Sequence, residues 1–195
     1  MNSTRDSSQS HPGLLKLARR IWILSALLIC FIGQAVRLNA TVNVVSYWHL
    51  GENDPGAADS VTATNTIDSA GTNNLTVQGP ATYANDVAAL AANRTGSSLS
   101  INFANPAYAT CGIVSTNVDN FGIECWVKPT MTSSNQVIAY NGATGGAGDG
   151  GWGFIISSTN TYAVLFGGLS VFGGTNLATA NTWTHLALVR DSGTN

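Results

Sequence analysis

Two side chains with the chemistry of a sugar-binding site stand two residues apart in the segment Asn120 to Pro129. Glu124 offers a carboxylate and Trp126 an indole, and an indole is a large amphipathic surface on which an apolar ligand face can stack. The two residues fall on the same face of a strand, because side chains alternate between faces with a period of two. They are therefore the first candidate ligand-binding pair.

The segment that must position this pair has the pattern of a half-buried β-strand. Its opposite face is apolar, and Pro129 ends the strand because proline cannot donate to a sheet ladder. The apolar face consists of Phe121, Ile123, Cys125 and Val127.

Short strands separated by turn residues are predicted along the rest of the chain, with no long helical period. Such a pattern is typical of an all-β antiparallel sandwich or jelly roll. One short helix is predicted at Asp86 to Asn93, with Asp86 as its N-cap. The other predicted strands are Val42–Leu50, Leu75–Val77, Ser98–Phe103, Cys111–Ser115, Gln136–Tyr140, Trp152–Ser157, Tyr162–Phe166 and Thr182–Arg190.

The first 40 residues have the organisation of a signal peptide. A basic leader ends at Arg19 and Arg20, and the apolar run Ile21–Ile32 follows. That run is shorter than the ~20 residues that a membrane-spanning helix needs. The sequence therefore predicts a cleaved signal at 1–40, a secreted domain at 41–195 and no membrane span after cleavage.

The predicted mature domain is acidic. From Thr41 onward the chain holds three basic residues against nine acidic ones. A surface of this charge repels phosphate backbones, so a nucleic-acid partner is not expected.

Two cysteines, Cys111 and Cys125, remain after the predicted signal. An even pair in an oxidising compartment is compatible with a disulfide. Two separate buried thiols, acting as small apolar residues, are an equal alternative.

Five segments in the right order resemble successive landmarks of the laminin-G-like, concanavalin A-like jelly-roll family, in its bacterial extracellular branch. The resemblance runs over roughly residues 44–195. The segments are Tyr47–Glu52, Asp68–Gly71, Gly96–Leu99, Phe121–Pro129 (Phe-Gly-Ile-Glu-Cys-Trp-Val-Lys-Pro) and Trp183–Asp191 (Trp-Thr-His-Leu-Ala-Leu-Val-Arg-Asp).

The resemblance carries several expectations. It implies a concanavalin A-like sandwich that is incomplete at the C-terminus, because the family's Tyr-x-x-Gly hairpin and later strands do not follow Trp183. In the family, the residue at Trp126 belongs to the core and the residue at Glu124 to the strand surface. Laminin-G-like folds also often bind calcium at a loop rim through carboxylate, amide and carbonyl oxygens. The candidate calcium ligands are Asp54, Asp59, Asp68 and Asn73.

Concanavalin-like folds include glycoside hydrolases, which need two carboxylates on either side of the scissile bond. Glu52-Asn53-Asp54 begins one such motif, but Ala57 stands where its last glutamate is required. His49 and His185 are predicted to be structural, since no nucleophile elbow accompanies them. An enzyme is therefore not expected.

The resulting prediction is a secreted, non-catalytic module that binds carbohydrate or a cell-surface ligand, as part of a larger extracellular protein. A structural or adhesive spacer domain without a small ligand is the alternative. A carbohydrate-active enzyme is the least favoured of the three.

Overall fold

The computed structural model describes residues 42–133, 135–142, 151–167 and 170–191. They form eleven strands and one short helix. In chain order these are β1 (Asn65–Thr66), β2 (Leu75–Gln78), β3 (Ala81–Ala84), α1 (Ala89–Thr95), β4 (Ser100–Phe103), β5 (Tyr108–Thr110), β6 (Phe121–Val127), β7 (Gln136–Asn141), β8 (Trp152–Ile156), β9 (Thr161–Phe166), β10 (Ser170–Leu177) and β11 (Thr184–Arg190).

The C-terminal strands form two antiparallel sheets. β7 to β10 make a four-stranded sheet in the order β10-β9-β8-β7, and β6 pairs with β11. The apolar sides of the two sheets meet around Ile156, Tyr162 and Ala178, against which Val127 and Leu186 pack. Phe121 of β6 stacks on Trp152 of β8 with ring centroids 4.0 Å apart. This contact confirms that the apolar face of the Phe121–Val127 strand is the inner one.

The N-terminal strands form a second, smaller arrangement. β1, β2 and β5 make one antiparallel sheet, and β3 pairs with β4. Their shared core is built around Ala63, Ala81 and Tyr83. With two alanines among these three residues, this core buries little apolar surface. The all-β antiparallel sandwich predicted from the sequence is confirmed.

The predicted strand at Val42–Leu50 is wrong. Within the described residues this segment makes one isolated bridge, from Trp48 to Asp68. The β-branched residues at its start are largely exposed, Val42 to 86%. Strand propensity alone does not make a strand, because a strand also needs a neighbour with which to pair.

The predicted strand at Cys111–Ser115 is also wrong, since β5 ends at Thr110. The side chain of Asn141 takes the place of a strand partner. Its Oδ1 accepts hydrogen bonds from the N–H groups of Val114 and Ser115, and its Nδ2 donates to the carbonyl of Ser115. A single amide thus satisfies backbone groups that the sequence pattern assigned to a ladder.

The helix is present, but it begins at Ala89 and Asp86 is not its cap. Ala88 occupies the N-cap position and makes no side-chain capping bond. Gly96 closes the helix in the left-handed conformation, a common C-terminal arrangement. The carboxylate of Asp86 instead contacts Lys128 and Trp183.

No helix in the described ranges combines the length and apolarity needed to cross a membrane. The predicted signal segment at 1–40 lies outside the described residues, as does most of the glycine-rich stretch between β7 and β8.

Candidate functional site

The ladder between β6 and β11 presents an outer face, on the side opposite the core. Its register pairs Trp126 with His185 and Glu124 with Ala187. Lys128 follows β6 and Trp183 precedes β11, so the two residues flank the last pair of the ladder, Val127 and Thr184. We call this surface the outer face; it consists of Gly122, Glu124, Trp126, Lys128, Trp183, His185, Ala187 and Val189.

Three side chains converge at the middle of the outer face. The ring of His185 lies 5.0 Å from the ring of Trp126, centroid to centroid. Nε2 of His185 lies 3.4 Å from Oε2 of Glu124. The Glu124 side chain is 75% exposed, so its carboxylate keeps most of its capacity to accept hydrogen bonds from a ligand. The indole of Trp126 is half-buried.

A second aromatic group stands at the end of the outer face. Nε1 of Trp183 donates a hydrogen bond of 2.9 Å to Oδ1 of Asp86. The other carboxylate oxygen of Asp86 pairs with Nζ of Lys128. The bonds from Lys128 and Trp183 lower the pKa of Asp86, with burial acting weakly in the opposite direction.

Asp86 reaches the outer face from the connection between β3 and α1. The backbone carbonyl of Asp86 accepts a hydrogen bond of 2.7 Å from the hydroxyl of Ser100 in β4. The residue is thereby held to the N-terminal sheets through its main chain and to the outer face through its carboxylate. It fixes the orientation of the Trp183 indole.

The arrangement can hold a polar ligand with an apolar face. An indole supplies contact area at a low cost in conformational entropy, while carboxylate and imidazole groups accept and donate hydrogen bonds at its edge. The exposed position of Glu124 agrees with the expectation for a strand-surface residue. Trp126 lies on the outer face, which corrects the expectation that it belongs to the core between the sheets.

Asp54 and Asp59, two of the candidate calcium ligands, are engaged by separate parts of the chain. Asp54 is buried and accepts hydrogen bonds from the N–H of Ile67 and the hydroxyl of Tyr83. Asp59 is exposed and accepts from the N–H of Asn85. Burial and the neighbouring Asp54 carboxylate raise the pKa of Tyr83 to about 12.

The other two candidates, Asp68 and Asn73, organise a loop. The buried carboxylate of Asp68 accepts from four backbone N–H groups, which belong to Tyr47, Ala70, Gly71 and Asn73. Burial by itself raises the pKa of Asp68, but these hydrogen bonds outweigh burial and hold the pKa far below its usual value. Its acceptor capacity is therefore committed to the backbone.

Asp68 and Asn73 thus share one hydrogen-bonding network, whereas Asp54 and Asp59 each belong to another. Among the residues that the structure describes, no three His, Cys, Asp or Glu side chains are grouped so as to hold a metal ion. Calcium binding at these positions stays a prediction, and the geometry gives each side chain a structural role in the fold.

Cys111 and Cys125 are both free, half-buried thiols in the structure. Cys125 faces inward from β6, and Cys111 follows the end of β5 in a different sheet. Burial and the charge of Glu124 raise the pKa of Cys125 to about 11. Burial and the charge of Asp68 likewise raise the pKa of Cys111. Both thiols are thus poor nucleophiles at neutral pH.

The glutamate considered for a hydrolase motif has a local structural role. Oε2 of Glu52 accepts a hydrogen bond of 3.2 Å from the N–H of Leu99. Its other oxygen lies 3.6 Å from Nδ1 of His49. The pair closes the turn after residue 50 against the segment that leads into β4.

Sequence reasoning found Glu124 and Trp126 but missed Asp86, Trp183 and His185. The sequence predicts a structural role for His185, although Trp183 and His185 alternate onto one face of their predicted strand. The position of Asp86 leaves no signal in the sequence, because it depends on a contact between residues 97 apart.

These observations define an antiparallel β-sandwich whose two-stranded sheet bears an aromatic and carboxylate-lined outer face. Residues 103–195 match a laminin G family model described as the concanavalin A-like lectin/glucanases superfamily. The matched segment runs from the last residue of β4 to the C-terminal end of the sequence. The resemblance predicted from Phe121–Pro129 and Trp183–Asp191 is thereby confirmed, whereas its three N-terminal landmarks lie outside the matched residues. No match was found among curated proteins or among solved structures.

Proposed function

We propose that this protein is a secreted, non-catalytic binding module that holds carbohydrate on the outer face of the β6–β11 ladder. The observation that carries the proposal is the convergence of Glu124, Trp126 and His185, with the carboxylate exposed beside an indole. The superfamily of residues 103–195 supports it, because ligand binding is typical of concanavalin A-like sandwiches.

The electrostatics of the outer face favour binding over catalysis. A glycosidase needs one carboxyl group with a raised pKa that can donate a proton to the leaving group. The pKa of Asp86 is lowered instead, because Lys128 and Trp183 both donate to its carboxylate. Asp86 is therefore a charged positioning group at neutral pH.

Secretion is part of the same proposal. It is supported by the basic and apolar pattern of residues 1–40 and by the typically extracellular setting of laminin G-like domains. Expression of the full chain, followed by intact-mass measurement of the exported protein, is expected to show cleavage after Ala35 or Ala40. Recovery of the uncleaved chain from the cytoplasm alone would contradict it.

The binding function is tested with the full chain on a glycan array, followed by calorimetry on the glycans that bind. We expect Glu124→Gln to weaken binding, because the variant keeps the shape of the side chain and removes its charge. Asp119→Asn is the matched control, since Asp119 pairs with Arg190 at the opposite end of the ladder.

Each outcome of the array is decisive. No binding by the wild-type protein would refute the carbohydrate proposal and favour the structural or adhesive spacer. Equal weakening of binding by Glu124→Gln and Asp119→Asn would show that the binding site does not lie on the outer face.

A further inference from the structure

The outer face holds two aromatic positions rather than one. Trp126 lies in β6, and Trp183 directly precedes β11, two residues before His185, which is the cross-strand partner of Trp126. The two tryptophans therefore occupy diagonal positions on the outer face. Diagonal cross-strand neighbours are separated by about 7–8 Å, which long and aromatic side chains can span. A ligand longer than a single ring can therefore touch both indoles.

Each indole has polar groups of its own. Glu124 and His185 stand beside Trp126, whereas Asp86 and Lys128 stand beside Trp183. The two groups of residues are separate in their contacts, since Asp86 bonds to Trp183 and Lys128 while Glu124 lies against His185. The outer face is thus divided into two similar units, each with one indole and one carboxylate.

The charges of these units indicate the kind of ligand. The carboxylate of Asp86 already neutralises Lys128, and the Glu124 carboxylate is largely exposed. The outer face therefore offers hydrogen-bond acceptors and a slight excess of negative charge. Such a surface suits hydroxyl groups and repels carboxylated or sulfated sugars.

We propose that the outer face binds a neutral oligosaccharide across two subsites, one at Trp126 and one at Trp183. This inference rests on the proposed carbohydrate-binding function and adds the chain length and charge of the ligand. Asp86 acts as a positioning residue, because its hydrogen bond fixes the Trp183 indole before the ligand arrives. Fixing an aromatic surface in advance lowers the entropy cost of binding.

The test is calorimetry of the full chain with neutral gluco-, xylo- and manno-oligosaccharides, from the monosaccharide to the hexasaccharide. For the series that binds, we expect the affinity of the hexasaccharide to exceed that of the monosaccharide by at least about tenfold. Trp183→Ala is expected to abolish this gain, because the variant removes the indole of the second subsite.

Trp183 is half-buried, so a second variant guards against a loss of folding. Asp86→Asn changes a half-exposed side chain and removes the charge that pairs with Lys128. It is expected to reduce the hexasaccharide gain by about threefold or more, while Asp119→Asn leaves the gain unchanged. Urea unfolding of each variant establishes that it is folded.

The results separate this inference from the function on which it rests. If no glycan of the array binds, the proposed function itself fails, whereas binding of acidic glycans alone leaves the function standing and overturns this inference. If a monosaccharide binds as tightly as the hexasaccharide, or if Asp86→Asn and Trp183→Ala both leave the length dependence intact, the two-subsite inference is overturned and the function stands. Tighter binding of an acidic oligosaccharide than of its neutral counterpart overturns the predicted ligand charge.

Discussion

The region of residues 44–119 and the region of residues 120–191 are both built of antiparallel strands, but they are held together by different interactions. The first has a small core, and two buried carboxylates, Asp54 and Asp68, bind its loops. The second has a core of large side chains that includes Trp152, Phe154 and Ile156. Two buried acidic residues are thus part of the N-terminal scaffold, whereas Glu124 in the C-terminal region lies at the surface where a ligand can reach it.

This difference bears on the candidate calcium ligands of the N-terminal region. An aspartate followed by asparagine and glycine in a polar loop has the composition of a calcium site and also that of a loop fastened by its own backbone. Only the directions of the N–H groups distinguish the two, and at Asp68 four of them point at the carboxylate. The two regions should therefore respond to different perturbations.

The largest effect is expected from a cavity in the C-terminal region. Ile156 is 1% exposed at the centre of the core between the two sheets. Ile156→Ala should lower the free energy of unfolding by about 2–5 kcal/mol, through lost burial and an unfilled cavity. The measurement is urea unfolding followed by tryptophan fluorescence. Val137→Ala is the control, because Val137 is 59% exposed, and its effect should stay within about 0.5 kcal/mol. Equal losses of unfolding free energy in Ile156→Ala and Val137→Ala would contradict the placement of Ile156 in the core.

The next effect should come from Asp68 in the N-terminal region. Asp68→Ala leaves four backbone N–H groups without their charged acceptor and should cost about 1.5–3 kcal/mol at neutral pH. The folded pKa of Asp68 is lowered, so its stabilising contribution is complete above the unfolded pKa of about 3.9 and is lost as the pH falls toward the folded pKa. The difference between wild type and variant should therefore shrink below about pH 4.

Urea unfolding over a pH series measures this effect. Asp59→Ala is the matched control, since Asp59 is an exposed aspartate of the same region. A constant difference between wild type and Asp68→Ala at all pH values would show that the carboxylate charge does not fasten the loop.

A smaller effect is expected at Tyr83, whose hydroxyl lies 3.1 Å from Oδ2 of Asp54 and 3.0 Å from the carbonyl of Asn65. Tyr83→Phe should cost about 1 kcal/mol at neutral pH. Because the folded pKa of about 12 exceeds the usual 10.0, the hydroxyl stabilises the fold below pH 10 and this contribution is lost as the pH rises toward 12. Wild-type protein should lose stability over that window, and Tyr83→Phe should lose less of it. An identical alkaline transition in the two proteins would contradict the Tyr83–Asp54 bond.

The smallest effect on stability is expected at Glu124. Its side chain is largely exposed, so Glu124→Gln should change the free energy of unfolding by less than about 0.5 kcal/mol. The same variant is expected to weaken saccharide binding. A loss of stability comparable to that of Asp68→Ala would show that Glu124 belongs to the scaffold, and the contrast between the two regions would disappear.

The strand that carries Glu124 and Trp126 could be predicted from the sequence because its information is local. The alternation of apolar and polar residues identifies the inner face, and Pro129 marks where pairing stops. The strand at Thr182–Arg190 could be predicted for the same reason. The inner and outer faces of each strand are therefore predictable from the sequence, although the pairing of the two strands is not.

The rest depended on information that is not local. The register that pairs Trp126 with His185 is fixed by the two strands together, and Asp86 reaches Lys128 and Trp183 from a distant loop. The β-branched residues of Val42–Leu50 have strand propensity, yet pairing in the described structure is limited to one bridge. In the segment 111–115, the side chain of Asn141 satisfies the backbone groups of Val114 and Ser115 in place of a neighbouring strand.

The bond between Asp86 and Trp183 has a consequence for the order in which the protein is made. Its two ends are separated by 97 residues, so the second subsite is assembled only after the ribosome has produced nearly all of the described chain. Until β11 emerges from the ribosome, Phe121, Ile123 and Cys125 of β6 have no cross-strand neighbours on β11. Contacts of such long sequence separation form slowly, and the apolar strand stays exposed to other chains meanwhile. Chaperone engagement during synthesis should therefore fall on the interval between the emergence of β6 and that of β11.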